Sequence, residues 1–184
     1  MQSDHAPDYT IVPATPADAA EIADIYAHHV VHGVATFETV PPDAAEIGAR
    51  IDKVLGSGWP WLVARGAEGT MLGYAYAALF RERAAYRYTC ENSIYLRHDC
   101  TGRRIGKALL AALLDASAAT GCRQMLAVIA GTEPASIALH ASAGFVHAGH
   151  MRSTGRKHGK WIDVIYMQRA LGEGDSTLPP EEPA

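Results

Sequence analysis

The spacing of apolar residues changes several times along the chain, and each change marks an element. After a polar start, Met1 to Asp8, Tyr9 to Val12 reads as a short first strand. Thr15-Pro16-Ala17-Asp18 has the marks of a helix start: a capping hydroxyl, a proline in the first turn and an acid three residues on. Ile22, Ala23, Ile25, Tyr26 and Val30 then recur at helical spacing and predict one buried face. Gly33 to Pro42 is a connection with a lone aromatic–acid pair, Phe37 and Glu38. Asp43 to Leu55 is a second helix, closed by Gly56. Trp59 to Ala64 and Met71 to Leu79 are strands joined through Gly66–Gly69, most simply an antiparallel hairpin. A polar loop, Phe80 to Thr89, follows.

The chain is organised around Glu91 to Leu114, ENSIYLRHDCTGRRIGKALLAALL. Ile94 and Leu96 alternate as in a strand, and Asp99 to Thr101 is a polar turn. Gly102-Arg103-Arg104-Ile105-Gly106-Lys107 is a basic glycine loop. In the helix after it, Ala108, Leu109, Ala112, Leu113 and Ala116 keep the spacing of one buried face. A strand, glycine loop and helix in succession point backbone N–H groups at an anion. The helix dipole and the side chains of Arg103, Arg104 and Lys107 add to that attraction. The chemistry this suits is a diphosphate cradle. Neither GxxxxGK[ST] nor GxGxxG is present. Arg104, standing among glycines, is expected to keep an ordinary negative φ.

Gly121 stops that helix, and Met125 to Ala130 is a continuous apolar strand of the kind covered on both faces. Pro134 to Ala143 is a short helix ending before Gly144-Phe145. Phe145 to Met151 and Ile162 to Arg169 are two last strands around a turn holding Gly155, Lys157, His158 and Gly159. The order is β-α-α-β-β-β-α-β-α-β-β within one domain, residues 9–171. From Gly172 the segment GEGDSTLPPEEPA is acidic and proline-rich, and 172–184 is expected to be a disordered tail.

Composition narrows the classes of function. A length of 184 residues suits one domain with a real core. A formal charge of −4 argues against a nucleic-acid-binding surface. Cys90, Cys100 and Cys122 show no CxxC spacing, so neither a disulfide framework nor a zinc ribbon is indicated. No apolar run approaches the roughly 20 residues of a membrane span. The start MQSDHAPDY also lacks a signal peptide's basic and apolar regions. A soluble, cytoplasmic protein without nucleic-acid or membrane partners is expected. His28, His29 and His32 lie near the end of the first helix, where the dipole alone favours histidine. No carboxylate or cysteine pattern accompanies them, and no metal is expected.

The organising stretch resembles the acyl-CoA-binding core of the GNAT acetyltransferases, in which a strand ending YV leads into [QR]xxGxG and a helix. Thr101, Arg104 and Gly106 fall on that pattern, and the first two depart from it. Gly102, Arg103, Ile105, Gly106 and Lys107 fit the commoner GRGIGK form. A second anchor, SIALHASAGF from Ser136 to Phe145, is similar to the family's SxxLYxxxGF. The resemblance implies an α/β (α+β) GNAT acyl-CoA N-acyltransferase fold, a central mixed and mostly antiparallel sheet flanked by helices. RERAAYRYTCENSIYL (Arg81 to Leu96), PWLVA (Pro60 to Ala64), TFETVP (Thr36 to Pro41) and GRKHGKWIDVIYMQR (Gly155 to Arg169) resemble the phosphinothricin-type branch. That likeness implies an N-acetyltransferase with acetyl-CoA as co-substrate, acting on small amino-acid-like amines such as phosphinothricin and methionine sulfoximine or sulfone. It also implies a homodimer.

The same likeness assigns residues. Ile94, Tyr95 and Leu96 line the pantetheine arm, where backbone N–H groups can polarise the thioester carbonyl. Gly102, Arg103, Arg104, Ile105, Gly106 and Lys107 hold the diphosphate. Glu133 stands where the family often has an asparagine on the pantetheine, and Ser142 is placed against the cofactor. His140 replaces a tyrosine that protonates the leaving thiolate in many members. Ala84, Ala85 and Tyr86 occupy the substrate loop. Glu91 is the base, because an ammonium substrate needs a proton acceptor. Arg81, Arg83 and Arg87 can pair in bidentate fashion with carboxylate and phosphinyl oxygens. Three arginines against Glu82 in that loop favour an anionic substrate over a polyamine or aminoglycoside. A protein N-terminus as substrate, and a CoA-binding sensor without turnover, are the other readings.

Overall fold

The computed structural model describes residues 8–131 and 133–179. The elements run β1 (Tyr9–Pro13), α1 (Ala19–His32), α2 (Ala44–Gly56), β2 (Trp61–Gly66), β3 (Met71–Leu79), β4 (Thr89–Leu96), α3 (Ile105–Ala119), β5 (Gln124–Ala130), α4 (Pro134–Ser142), β6 (Val146–Lys157) and β7 (Lys160–Ala170). This is the order the sequence predicts. The strands form one sheet in the order β1-β2-β3-β4-β5-β7-β6. Among the described residues β4 and β5 are the parallel pair, and the other neighbours run antiparallel. Also among the described residues, no helix is long and apolar enough to cross a membrane.

Local chemistry sets the helix starts. The Thr15 N–H donates to Asp18 Oδ2 at 2.6 Å, closing a capping box over a 3-10 turn, Pro16–Asp18, that leads into α1. Asp43 caps α2 by accepting from the Glu46 N–H at 2.8 Å. The expected face of α1, Ile22, Ala23, Ile25, Tyr26 and Val30, is buried against Trp61, Val63, Met71 and Tyr74 on one side of the sheet. On the other side α3 buries Ile105, Leu109, Leu110, Leu113 and Leu114 against Ala75, Ala77 and Cys90. The buried stripe of α3 is therefore rotated from the expected one. Leu110 and Leu114 are inside, while Ala108, Ala112 and Ala116 are half-buried flanks. A leucine removes far more apolar surface from water than an alanine, so it takes the centre of the face.

Three further expectations change. In β5, Met125, Ala127 and Ile129 are buried, but Leu126 and Val128 are only half covered. The β6–β7 turn shrinks to His158-Gly159, with φ of 49° and 75°, and Lys157 pairs directly with Lys160. Two left-handed residues make the tight turn that suits twisted strands. Gly155 and Lys157 are thus strand residues, and each is bound to the α1–α2 connection. A Cβ on Gly155 would lie 2.1 Å from the Phe37 ring. The buried Lys157 ammonium donates to the Thr36 carbonyl at 2.8 Å. Residues 172–179, placed in the expected disordered tail, form turns against Arg123. Its guanidinium pairs with Glu173 at 3.3 Å and donates to Thr177 Oγ1 at 3.1 Å. The rest of the expected tail, 180–184, lies outside the described residues.

Candidate active site

The parallel pairing of β4 with β5 covers Thr89 to Asn92 against Gln124 to Ala127 and then stops. Beyond it β4 stays with β3 as far as Leu96, and β5 stays with β7 as far as Ala130. The strands splay, so main-chain groups of Ser93 to Leu96 and of Val128 to Ala130 face each other without pairing. The fork holds a cleft of about 70 Å³ lined by Ile94, Tyr95, Ile129, Glu133, Ser136 and His140, among others. Ile94, Tyr95 and Glu133 thus share one cleft, with Glu133 exposed at the start of α4. Leu96 packs further along, against Gly106, and its carbonyl faces His29 Nε2 at 2.8 Å. Ser142 is exposed, and its hydroxyl donates to the Leu139 carbonyl at 2.8 Å.

A side chain closes the vertex of the fork. Asn92 Nδ2 donates to the Leu126 carbonyl of β5 at 3.1 Å, and its Oδ1 faces His140 Nε2 at 3.0 Å. His140 Nδ1 faces the Ser136 carbonyl at 2.8 Å. The Asn92 amide oxygen and the Ser136 carbonyl both only accept, so the neutral ring donates to one of the two. Burial pulls the His140 pKa below its ordinary value and keeps the ring neutral. Asn92 has no signature in the sequence, because its role depends on a carbonyl and a histidine brought to it by folding.

Past the fork, a 3-10 turn, His98–Cys100, leads to the glycine loop. Gly102 has φ 77° and Arg104 has φ 61°, ψ 6°. The negative φ expected for Arg104 is thus corrected: it is left-handed at the residue that caps α3, with no side-chain cap bond. The chain must turn sharply there because Ile105 and Gly106, next in line, are buried. Arg103, Arg104 and Lys107 are exposed around the first turn of α3, whose N–H groups have no partner within the helix. This is a fitting seat for a diphosphate. A left-handed non-glycine residue costs about 1–2 kcal/mol, partly offset in a glycine variant by the looser unfolded chain. Arg104→Gly is expected to raise the melting temperature by about 1–3 °C. A scanning-calorimetry midpoint that falls instead would contradict a strained Arg104.

Glu91 lies on the opposite face of β4 from Asn92. It pairs with Ala78 across the β3–β4 ladder, and Ser93 and Tyr95 follow it on the side of α1 and α2. Burial raises the Glu91 pKa above its ordinary value, and Arg81 offsets this only in part. Among the described residues no hydrogen bond reaches its carboxylate. Glu38 is the contrasting acid on this side. It accepts from Arg50 at 2.7 and 3.2 Å and from the Tyr26 hydroxyl at 3.0 Å. Burial pushes Glu38 up, but the Arg50 and Tyr26 hydrogen bonds outweigh it and hold the pKa low. One acid is committed to a partner, and Glu91 is left able to take a proton.

The loop before β4 borders open space on the same side. Leu79, Phe80, Arg81, Glu82, Arg83 and Tyr86 line a surface cavity of about 670 Å³. A neighbouring cavity of about 750 Å³ includes Ala78, the cross-strand partner of Glu91, with Tyr76, Arg50 and Arg87. Arg81 lies over the Phe80 ring at 4.0 Å, and Tyr86 meets that ring edge-on at 5.6 Å. Ala84 and Ala85 are exposed in a 3-10 turn with Tyr86 and line neither cavity. The histidines of α1 are distributed over other partners. His28 stacks on His98 at 4.4 Å and His29 binds β4. Among the described residues no group of three or more His, Cys, Asp or Glu is placed to hold a metal ion.

Comparison with known proteins points the same way. The acetyltransferase (GNAT) domain model matches residues 11–166. The chain is 48% identical over 163 residues to phosphinothricin N-acetyltransferase of Alcaligenes faecalis, covering 88% of this chain and 82% of that one. It is 38% identical over 155 residues to the L-methionine sulfoximine/L-methionine sulfone acetyltransferase of Pseudomonas aeruginosa, covering 84% and 90%. A phosphinothricin acetyltransferase from Sinorhizobium meliloti, solved in complex with AcCoA, superposes with a TM-score of 0.92 at 48% identity, covering 95% and 94%. With a splayed β4–β5 fork, a glycine loop opening α3 and these relatives, the chain belongs to the GNAT acetyltransferase family.

Proposed function

We propose that the protein acetylates the amine of a small amino-acid-like substrate, of the phosphinothricin or methionine sulfoximine and sulfone kind, by direct attack in a ternary complex with acetyl-CoA. The observation that carries the chemistry is Glu91: half-buried, raised in pKa and without a hydrogen-bond partner among the described residues, beside cavities bordered by Arg81, Arg83 and Arg87. The glycine loop and the first turn of α3, together Gly102 to Lys107, hold the diphosphate through main-chain N–H groups. Ile94, Tyr95 and Leu96 line the pantetheine arm, with Glu133 at the mouth of the fork and main-chain groups of β4 available to the thioester oxygen. The arginines orient the substrate's acidic groups, and Tyr86 packs on its carbon chain. Glu91 accepts the ammonium proton, which frees the nitrogen lone pair to attack.

We read the working form as a cytoplasmic homodimer. Three buried free cysteines suit a reducing compartment. The exposed Val146, Met151 and Trp161 on the β6–β7 hairpin supply apolar surface for a second copy. Sedimentation equilibrium on the purified protein reads the oligomer directly, and a monomer at micromolar concentration would refute it.

Substrate class is tested with a panel. At equal concentration, phosphinothricin and methionine sulfoximine are expected to release CoA thiol from acetyl-CoA faster than spermidine, kanamycin or a peptide N-terminus. Arg83→Ala is expected to raise KM more than it lowers kcat. Preference for a polycation, or no thiol release with any amine, would reject the reading.

A further inference from the structure

We propose that Cys90 and Cys122 form an oxidation site, at which a peroxide closes a disulfide that draws Glu91 out of position. Cys90 is the β4 residue just before Glu91, and Cys122 lies on the link from α3 to β5. Both are buried, and their sulfurs are 2.8 Å apart. A disulfide holds its sulfurs about 2.05 Å apart, so the pair closes with a shift of under about 1 Å. Cys100, the third free cysteine, is in a separate turn and faces Asp99 Oδ1 at 3.4 Å.

The surroundings differentiate the two thiols. Hydrogen bonding with Cys90 and with backbone N–H groups of Gln124 and Arg123 lowers the Cys122 pKa despite burial. Hydrogen bonding to Cys122 and burial push the Cys90 thiol up, while the Cys122 S–H points at Cys90 Sγ and at the Gln124 carbonyl 3.3 Å away, so Cys122 attacks once that proton has left. Cys122 is thus the attacking sulfur and Cys90 the resolving one. The cavity of about 750 Å³ reaches Gly121, its chain neighbour, and Tyr88, whose carbonyl lies 3.6 Å from Cys122 Sγ. Neither sulfur lines that cavity, so a molecule as small and neutral as hydrogen peroxide reaches Cys122 from it through a local opening of the link.

The steps balance. The Cys122 thiolate attacks one peroxide oxygen, the O–O bond breaks, and hydroxide leaves a sulfenic acid on Cys122. The Cys90 sulfur then attacks Cys122, the S–O bond breaks, and the Cys90 proton departs with the hydroxyl as water. Peroxide takes two electrons from the sulfurs. The link has little slack, because the Arg123 and Gln124 N–H groups both donate to the Tyr88 carbonyl, at 2.8 and 3.1 Å. Closure therefore pulls on β4 at Cys90. Glu91 projects from the other face of the same strand and shifts with it. A full misplacement of about 1 Å can cost a reaction about a hundredfold, and the smaller shift here is expected to cost about tenfold.

The loss of activity rests on Glu91 as the base, whereas the bond itself does not, so the test has separate readouts. The protein is treated with excess hydrogen peroxide, denatured, alkylated and mapped by peptide mass spectrometry. A Cys90–Cys122 cross-linked peptide with Cys100 still alkylated is expected, together with at least about a tenfold fall in acetyl transfer that dithiothreitol reverses. Cys122→Ser and Cys122→Ala are expected to lose both the cross-link and the reversible inactivation, and Cys100→Ser to keep both. Recovery of Cys90 and Cys122 only as thiols or as sulfinic acids would overturn the site. A cross-link with an unchanged rate would overturn the coupling to Glu91. If untreated protein transfers no acetyl group, that counts against the proposed function, and the cross-link alone decides the site.

Discussion

Glu91→Gln is expected to lower the turnover of acetyl transfer by about a hundredfold to ten-thousandfold, the usual worth of a positioned general base. The substitution keeps the size of the side chain and removes the proton acceptor. Affinity for acetyl-CoA should stay near normal, since the glycine loop lies beyond the other end of β4. The pH profile carries the sharper test. Burial disfavours the Glu91 carboxylate in the folded protein, so its pKa lies above the ordinary 4.5 and the acid limb of kcat/KM should appear above that value. In Glu91→Gln this limb disappears, and the remaining deficit shrinks at alkaline pH, where the amine arrives already deprotonated. Melting should not fall, because the variant removes a charge whose ionised form the fold disfavours. Normal turnover by Glu91→Gln at neutral pH would move the base elsewhere. Asn92 already engages His140 Nε2 on the opposite face of β4, so an ordered water would be the next candidate.

Gly106→Pro is the second large effect expected. Gly106 is the second residue of α3, within the first turn, where a proline removes no intrahelical hydrogen bond but brings no N–H. If the diphosphate is held by main-chain donors, one charge-assisted hydrogen bond is lost, worth about 1.5–3 kcal/mol or roughly tenfold to a hundredfold in affinity. Gly106→Ala is the control. Its added methyl would sit 3.5 Å from Leu96 Cδ1 and 3.6 Å from Leu139 Cδ2, ordinary contact distances, and the N–H remains. Calorimetric titration with acetyl-CoA should therefore separate the two variants. Equal and tight binding by both would mean that the cradle does not work through the backbone at this residue.

The two acids on the substrate side illustrate how far a sequence can be read. Glu38 stood out only as an acid beside an aromatic, and Glu91 as an acid beginning a strand. Their separation into a committed carboxylate and an available one depends on Arg50, one helix away, and on the burial of Glu91. Neither fact has a local signature. The cysteines make the same point, since absent CxxC spacing says nothing of two sulfurs that β4 and the α3–β5 link bring within 2.8 Å.

The sequence by itself determined the order of the elements, the capped start of α1, the buried face of α1 and the glycine loop. Each depends on residues within a turn or two of one another, where hydrophobic period and side-chain capping act directly. Tertiary structure alone decided the left-handed Arg104, the rotated stripe of α3 and the fork locked by Asn92 and His140, partners 48 residues apart. These depend on which surfaces meet: the buried Ile105 forces the turn at Arg104, the sheet selects leucines over alanines, and the end of β4–β5 pairing leaves a vertex for a side chain to close.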